Sequence, residues 1–256
     1  MTAHPVARYI PLLIEGDEVG LRALFQGTPR VNDPALGWVE GARFDQFVEN
    51  SHQGLLERSA TVEHVSTTAT AAGATEECVL RLTRYGSAVS LPVAIASDTA
   101  PDALLESIRI YHSMWPLVGF HLVREPILPI VPDFVLPDVI GRYHECLSRG
   151  DAPGIVQQFA PSGGVRGAGG SSDVHRGPSA LLRFFNVLFA NGGGLGLGHC
   201  AIADEGGSCA LEYVLTTWGR TSIPHQAAAA VYERADTGLL AEVRMYDDVE
   251  NPIHQN

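Results

Sequence analysis

The chain repeats itself, and no other feature restricts its fold as much. Tyr9 and Tyr143 lie 134 positions apart, as do Gly16/Gly150, Asp17/Asp151 and Phe25/Phe159, so that "RYIPLLIEGD" falls over "RYHECLSRGD". Farther on, "LTRYGSAVSLP" (82–92) is answered by "LTTWGRTSIP" (215–224), and "IRIYHSMWP" (108–116) by "VRMYDDVENP" (243–252). The matches keep one order and nearly one spacing. A repeat of about 130 residues is a whole domain, far longer than a solenoid unit, so the chain reads as a tandem duplication.

Both copies follow one grammar. Each opens with an apolar-periodic helix ending at Gly-Asp, followed by a second short helix (Asp17–Phe25; Pro153–Phe159) in which Pro153 suits a first turn. A loop and a third helix come next, after Gly41 and after Gly177. The remainder is β-patterned: "TVEHVSTTAT", "ECVLRLTRYG", "SLPVAIAS" and "LLESIRIYHS", then "GLGHCAIAD", "CALEYVLTTWG", "HQAAAAVYERA" and "LLAEVRMYDD", separated by Gly/Asp/Thr turns. Helices followed by an antiparallel meander predict an α+β unit. The expected boundaries are 1–118 for the first domain, 119–135 for a Pro-rich linker and 136–256 for the second domain. The four prolines of "LVGFHLVREPILPIVPDFVLP" (117–137) make the linker a stiff, extended strap, apolar enough to lie on protein. The glycine-dense "SGGVRGAGGSSD" (162–173) follows no predicted strand and lacks the Lys-Ser/Thr ending of a phosphate loop, so it reads as a loop over a pocket mouth.

Charge narrows the partners. Seventeen basic against 29 acidic side chains leave a net charge of −12, with no basic cluster to attract nucleic acid or an anionic membrane. No 18-residue apolar window spans a membrane, and the N-terminal stretch has no signal-peptide pattern. Four cysteines without C-x-x-C spacing read as reduced thiols of a cytoplasmic protein. No H-E-x-x-H or H-x-H is present, so no metal is expected; no G-x-S-x-G elbow points to a serine hydrolase.

Candidate functional residues come from differences between the copies. Anchoring on Leu82/Leu215 sets Glu212 opposite Val79 and Tyr213 opposite Leu80, and anchoring on Pro92/Pro224 sets His225 and Gln226 opposite Val93 and Ala94. Asp247 and Asp248 fall opposite His112 and Ser113. The second copy is thus the richer in proton-transfer groups. Glu212 is the sharpest candidate: alternation puts it between Ala210 and Val214 on one face of its strand, where burial would raise its pKa into the range of a neutral-pH acid or base. A structural pairing with Arg244 is the competing account. His199, matched by His64, is the expected partner in proton transfer, with Tyr246 as an assisting donor. Tyr213, Trp218, His225, Gln226, Tyr232, Arg244 and Asp247 are the expected substrate contacts. Asp33, Glu40 and Trp115 are rim candidates in the first copy.

Three helices feeding a sheet, with "ALEYVLTTWG" and the closing "YERADTGLLAEVRMYDDVENP", resemble the SnoaL-like branch of the nuclear-transport-factor-2-like superfamily, which includes ketosteroid isomerase, limonene epoxide hydrolase and polyketide cyclases. The resemblance covers roughly 5–118 and 136–253. It implies two tandem cone-shaped α+β barrels, each with three N-terminal helices packed on a curved, mainly antiparallel sheet around an apolar pocket. The copies would pair as a pseudo-dimer within the chain, with a homodimer as a further form. The Asp-Arg-Asp arrangement of limonene epoxide hydrolase does not transfer, because Tyr246 stands two residues after Arg244. The expected function is a cofactor-independent cyclase, isomerase or epoxide hydrolase acting on an apolar polyketide- or terpenoid-like metabolite. The alternative is a non-catalytic carrier of such a metabolite or a protein–protein adaptor.

Overall fold

A computed structural model of the protein describes residues 4–249 and Pro252; Glu250 and Asn251 of the repeated closing segment lie outside the described residues. The chain divides into two compact units, Met1–Phe120 and His121–Asn256.

In the first unit a 3-10 turn, Pro5–Arg8, leads into helices α1 (Tyr9–Glu15) and α2 (Glu18–Arg22). Strands β1 (Arg30–Asp33) and β2 (Gly37–Glu40) precede helix α3 (Arg43–Glu57). Strands β3 (Thr61–Ala69), β4 (Gly73–Arg84), β5 (Ser87–Thr99) and β6 (Leu105–Tyr111) follow, and a single turn, α4 (Trp115–Val118), ends the unit. The six strands form one sheet in the order β2-β1-β6-β5-β4-β3, with β1 parallel to β6 and the other described pairs antiparallel.

The second unit repeats this plan. Helices α5 (Asp138–Arg149) and α6 (Ala152–Val156) precede β7 (Phe159–Arg166), β8 (Val174–Arg176) and helix α7 (Pro178–Leu188). Strands β9 (Leu195–Asp204), β10 (Ser208–Trp218), β11 (Thr221–Arg234) and β12 (Leu240–Met245) complete a sheet ordered β8-β7-β12-β11-β10-β9, with β7 parallel to β12. Both units are therefore α+β, each a mixed six-stranded sheet with helices packed on one face.

The repeated sequence segments now have physical causes. Gly16 and Gly150 end α1 and α5 in the left-handed region, at φ 71° and 70°, where a Cβ would be strained. The aspartates that follow cap the next helices: Asp17 accepts from Gly20 N at 2.8 Å and Asp151 from Gly154 N at 2.9 Å. Such caps contribute about 1 kcal/mol each. The aromatic-Gly motif marks a hairpin end, since Tyr85 and Gly86 (φ 49° and 78°) form the two-residue turn closed by the Arg84/Ser87 pair.

Short strands depart from expectation. The segments "RVND", "GWVE" and "VHR" carry too few residues to show a period, yet they form β1, β2 and β8. The glycine-dense segment is not all loop. Its first half belongs to β7, where a Cβ on Gly163 would come within 2.8 Å of the Leu240 carbonyl oxygen, so glycine there permits close strand approach. The rest is a closed turn: Gly167 N donates to Asp173 O at 2.8 Å, and Gly169 N to Asp173 Oδ2 at 3.2 Å.

Each sheet buries one face against its helices. In the first unit Cys78, Leu80, Leu82, Leu91 and Val93 pack with Tyr9, Leu13 and Phe44. In the second, Tyr143 of α5 meets Phe159, Phe185 and Tyr232 edge-on, with ring centroids 5.9, 6.1 and 5.8 Å apart. The chain between the units lies on the second sheet. His121 Nδ1 and Leu122 N both reach Asp248 at 2.8 Å, Ala227 N donates to Arg124 O at 2.9 Å, and Val131 N donates to His199 O at 2.9 Å.

Candidate functional sites

The first unit holds an apolar pocket of 230 Å³ between its helices and sheet. Its walls are Ile10 and Leu13 from α1, Phe47 and Leu55 from α3, and Leu80, Leu82, Leu91, Val93 and Ile110 from the sheet. Asp33 and His112 interrupt this surface, with Ser51 and Arg58 also on the wall. Asp33 ends β1 and His112 follows β6, the two strands that run parallel, with Val31 beside Ile108. Alternation from Val31 and Ile108 turns both side chains to the helix side. Asp33 Oδ1 is occupied by the amides of Ala35 (2.8 Å) and Leu36 (3.0 Å), which fixes the carboxylate and leaves Oδ2 without a hydrogen bond among the described residues. Behind it, Tyr9 is fully buried and its hydroxyl has no hydrogen-bond partner among the described residues. Burial, reinforced by the charge of Asp33, pushes the Tyr9 phenol far up, so it stays protonated.

The second unit separates the residues that sequence comparison groups together. Strand β10 turns Leu211 and Tyr213 to the helices, so Glu212 lies on the opposite face, buried at 7 % exposure. His199 lies on the helix side, because it is paired with Tyr213 and contacts His144 of α5. Glu212 and His199 thus face opposite ways and cannot exchange a proton directly. Arg244 and Tyr246 share the face of Glu212. Arg244 Nη1 pairs with Glu233 at 2.8 Å, and the Tyr246 ring lies under the Arg166 guanidinium at 4.4 Å. Trp218 anchors a hairpin end, its Nε1 donating to Leu188 O at 2.7 Å, and His225 is exposed. Tyr213, Gln226, Tyr232 and Asp247 join His199 on the helix side.

Asp247 is raised to about 6, chiefly by burial; burial likewise raises the phenols of Tyr143, Tyr213 and Tyr232, and the charge of Asp247 adds to it. The residue that sequence comparison misses is His144. Its Nε2 is 2.6 Å from the Tyr232 hydroxyl and its Nδ1 is 3.1 Å from His199 Nε2. Burial, with His199 adding to it, lowers His144 to about 3. The available signal was an Ile140–His144–Leu147 stripe at helical spacing, which places a histidine among core positions.

Among the described residues no group of three His, Cys, Asp or Glu side chains could hold a metal ion, and no helix is long and apolar enough to cross a membrane. All four cysteines are free thiols.

No protein-family model and no curated protein matches the sequence. Among solved structures the chain is similar to a protein of Sinorhizobium meliloti described as a putative polyketide cyclase. The identity is 20 %, over 43 % of this chain and 94 % of that one, with a TM-score of 0.36. It is also similar to SalBIII, an epoxide hydrolase/cyclase-like enzyme of pyran ring formation in the polyether salinomycin. There the identity is 18 %, over 41 % of this chain and 85 % of that one, with a TM-score of 0.35.

Proposed function

We propose that the protein is an acid–base enzyme for an apolar small molecule, and that its reaction takes place in the first unit, in the pocket of Asp33 and His112. The observation that carries this reading is a carboxylate and an imidazole on adjoining strands, both set into an otherwise apolar wall. Apolar walls exclude water, so a proton moved there is not lost to solvent. Asp33 is held by two amides on one oxygen, and its other oxygen takes a proton from an acidic C–H or O–H of the substrate. His112 gives a proton to the substrate oxygen on which charge develops. The net result is a rearrangement that needs no cofactor: a cyclisation, isomerisation or epoxide opening of a polyketide- or terpenoid-like compound. This reading moves the chemistry from the second copy, where sequence comparison places it, to the first.

The test is mass spectrometry of a metabolite extract incubated with wild type, with Asp33→Asn, with His112→Gln and with no protein. Consumption of a compound by wild type, reduced about 10²-fold or more in each variant, supports the reading. A compound retained unchanged by wild type and by both variants overturns it in favour of a carrier.

A further inference from the structure

The second unit carries a separate cleft of 270 Å³, between α5 and the edge strand β9. Phe134, Leu136 and Leu197 give it apolar walls, His144 and His199 supply its imidazoles, and Glu145 and Ser148 add polar groups to its lining. Phe134 stands against the His199 ring with centroids 5.7 Å apart. These imidazoles end a chain of contacts, Tyr232 Oη to His144 Nε2 and His144 Nδ1 to His199 Nε2, that runs from the buried core to the cleft.

Hydrogen-bond accounting gives this chain a direction. His144 Nε2 is the one hydrogen-bond partner of the Tyr232 hydroxyl among the described residues. A buried hydroxyl proton left unmated costs about 1–3 kcal/mol, so the hydroxyl donates to that nitrogen. His144 then carries its proton on Nδ1 and donates to His199 Nε2. His199, with Nε2 accepting, carries its own proton on Nδ1, which has no partner among the described residues. A positively charged His199 would set two N–H groups against each other across 3.1 Å. The arrangement therefore keeps His199 neutral and a donor, in line with the downward pressure of burial on both imidazoles. A neutral imidazole donor polarises a carbonyl without drawing in a permanent charge.

We propose that this cleft is a second small-molecule site, which takes an apolar compound bearing a carbonyl oxygen and hydrogen-bonds that oxygen through His199 Nδ1. Tyr232 and His144 are positioning residues: they set the tautomer of His199 and do not hydrogen-bond the ligand's oxygen.

The experiment uses the full chain labelled with ¹⁵N-histidine, with acetophenone as the carbonyl probe and ethylbenzene as its counterpart without oxygen. Without ligand, long-range ¹H–¹⁵N spectra should show both His144 and His199 protonated on Nδ1. Acetophenone should shift the His199 Nδ1 signal saturably and bind about tenfold or more tighter than ethylbenzene, the difference of one good hydrogen bond. Tyr232→Phe should release the His144 tautomer and bring the two probes within about threefold of each other. His199→Phe should do the same while keeping the apolar wall. Equal binding of the two probes by wild type, an Nε2-protonated His144, or shifts at His112 with none at His199 would each overturn the proposal.

Discussion

Glu77 and Glu212 occupy one place in the two sheets. Glu77 stands opposite Ala94, with Tyr111 beyond it, and Glu212 stands opposite Ala229, whose carbonyl accepts from Tyr246 N. Each glutamate is buried on the face away from the helices. Nearby, Arg109 pairs with Asp98 as Arg244 pairs with Glu233. A buried carboxylate present in both copies fits a part in the scaffold. Glu212→Gln and Glu77→Gln should each lower stability by about 1–3 kcal/mol, because a buried polar group with fixed surroundings tolerates a change of donors and acceptors poorly. Turnover of the first unit's substrate should stay within about threefold of wild type for Glu212→Gln. Denaturant melts beside a rate assay on the same preparations check both statements.

The Arg109–Asp98 pair is lopsided: the arginine side chain is 2 % exposed and the aspartate 46 %. Removing the aspartate takes two hydrogen bonds and an opposite charge from a buried guanidinium; removing the arginine leaves a carboxylate that water can reach. Asp98→Ala should therefore cost about 2–4 kcal/mol and Arg109→Met distinctly less. Burial pushes the Asp98 carboxyl up, but the hydrogen bonds and charge of Arg109 outweigh it and hold the group below its usual value. The stability it contributes is present above its unfolded value, about 3.9, and lost as pH falls through the folded one. Melts from pH 7 down to pH 2 should show a steeper acid loss in wild type than in Asp98→Asn.

Asp247 has the opposite sign. Its folded value is raised, to about 6, so the native state binds a proton that the unfolded chain has already released. Its favourable contribution is complete below about pH 4 and is lost as pH rises through 6. Asp247→Asn should nearly match wild type at pH 4 and exceed it by about 2–3 kcal/mol at pH 7.5. Thermal melts at the two pH values decide this, and equal differences at both would contradict it.

The paired glycines make an internal control. A Cβ on Gly16 would meet the His52 ring at 3.0 Å, a side chain able to yield. On Gly150 it would meet the backbone of Gly193 at 2.8 Å, which yields far less. Both pay the left-handed strain of about 1–2 kcal/mol. Gly150→Ala should cost a further 1–3 kcal/mol or so from the clash. Chemical denaturation of the two single variants gives the comparison.

The duplication and the eight strands of the two closing meanders were legible in the sequence, because caps, turns and period-two patterns are local. The register was not. Strand pairing relates the sheets by 135 residues: Glu77/Glu212, Ala94/Ala229 and Arg109/Arg244. The Leu-Thr-aromatic-Gly likeness sits two residues off that register, beside an irregularity in the pairing of β10 between Leu215 and Thr217. An offset of two keeps every side chain on its own face, so the wrong alignment looks sound. It set Val79 opposite Glu212 and made a carboxylate that both copies carry look unique to one. Asp33 was legible as a rim residue. The contact of His144 with His199 and Tyr232 joins a helix to two strands, and no spacing in the sequence reports that.

The chain joining the units also determines where the protein can be cut. A fragment begun at residue 136, at the end of the proline-rich stretch, would lack the partners of Asp248, Ala227 and His199. It would present the outer edge of β9 bare, and bare edges recruit strands from other molecules. Excision of the second unit as a separate, well-behaved piece therefore has to start at His121, fifteen residues earlier than composition suggests.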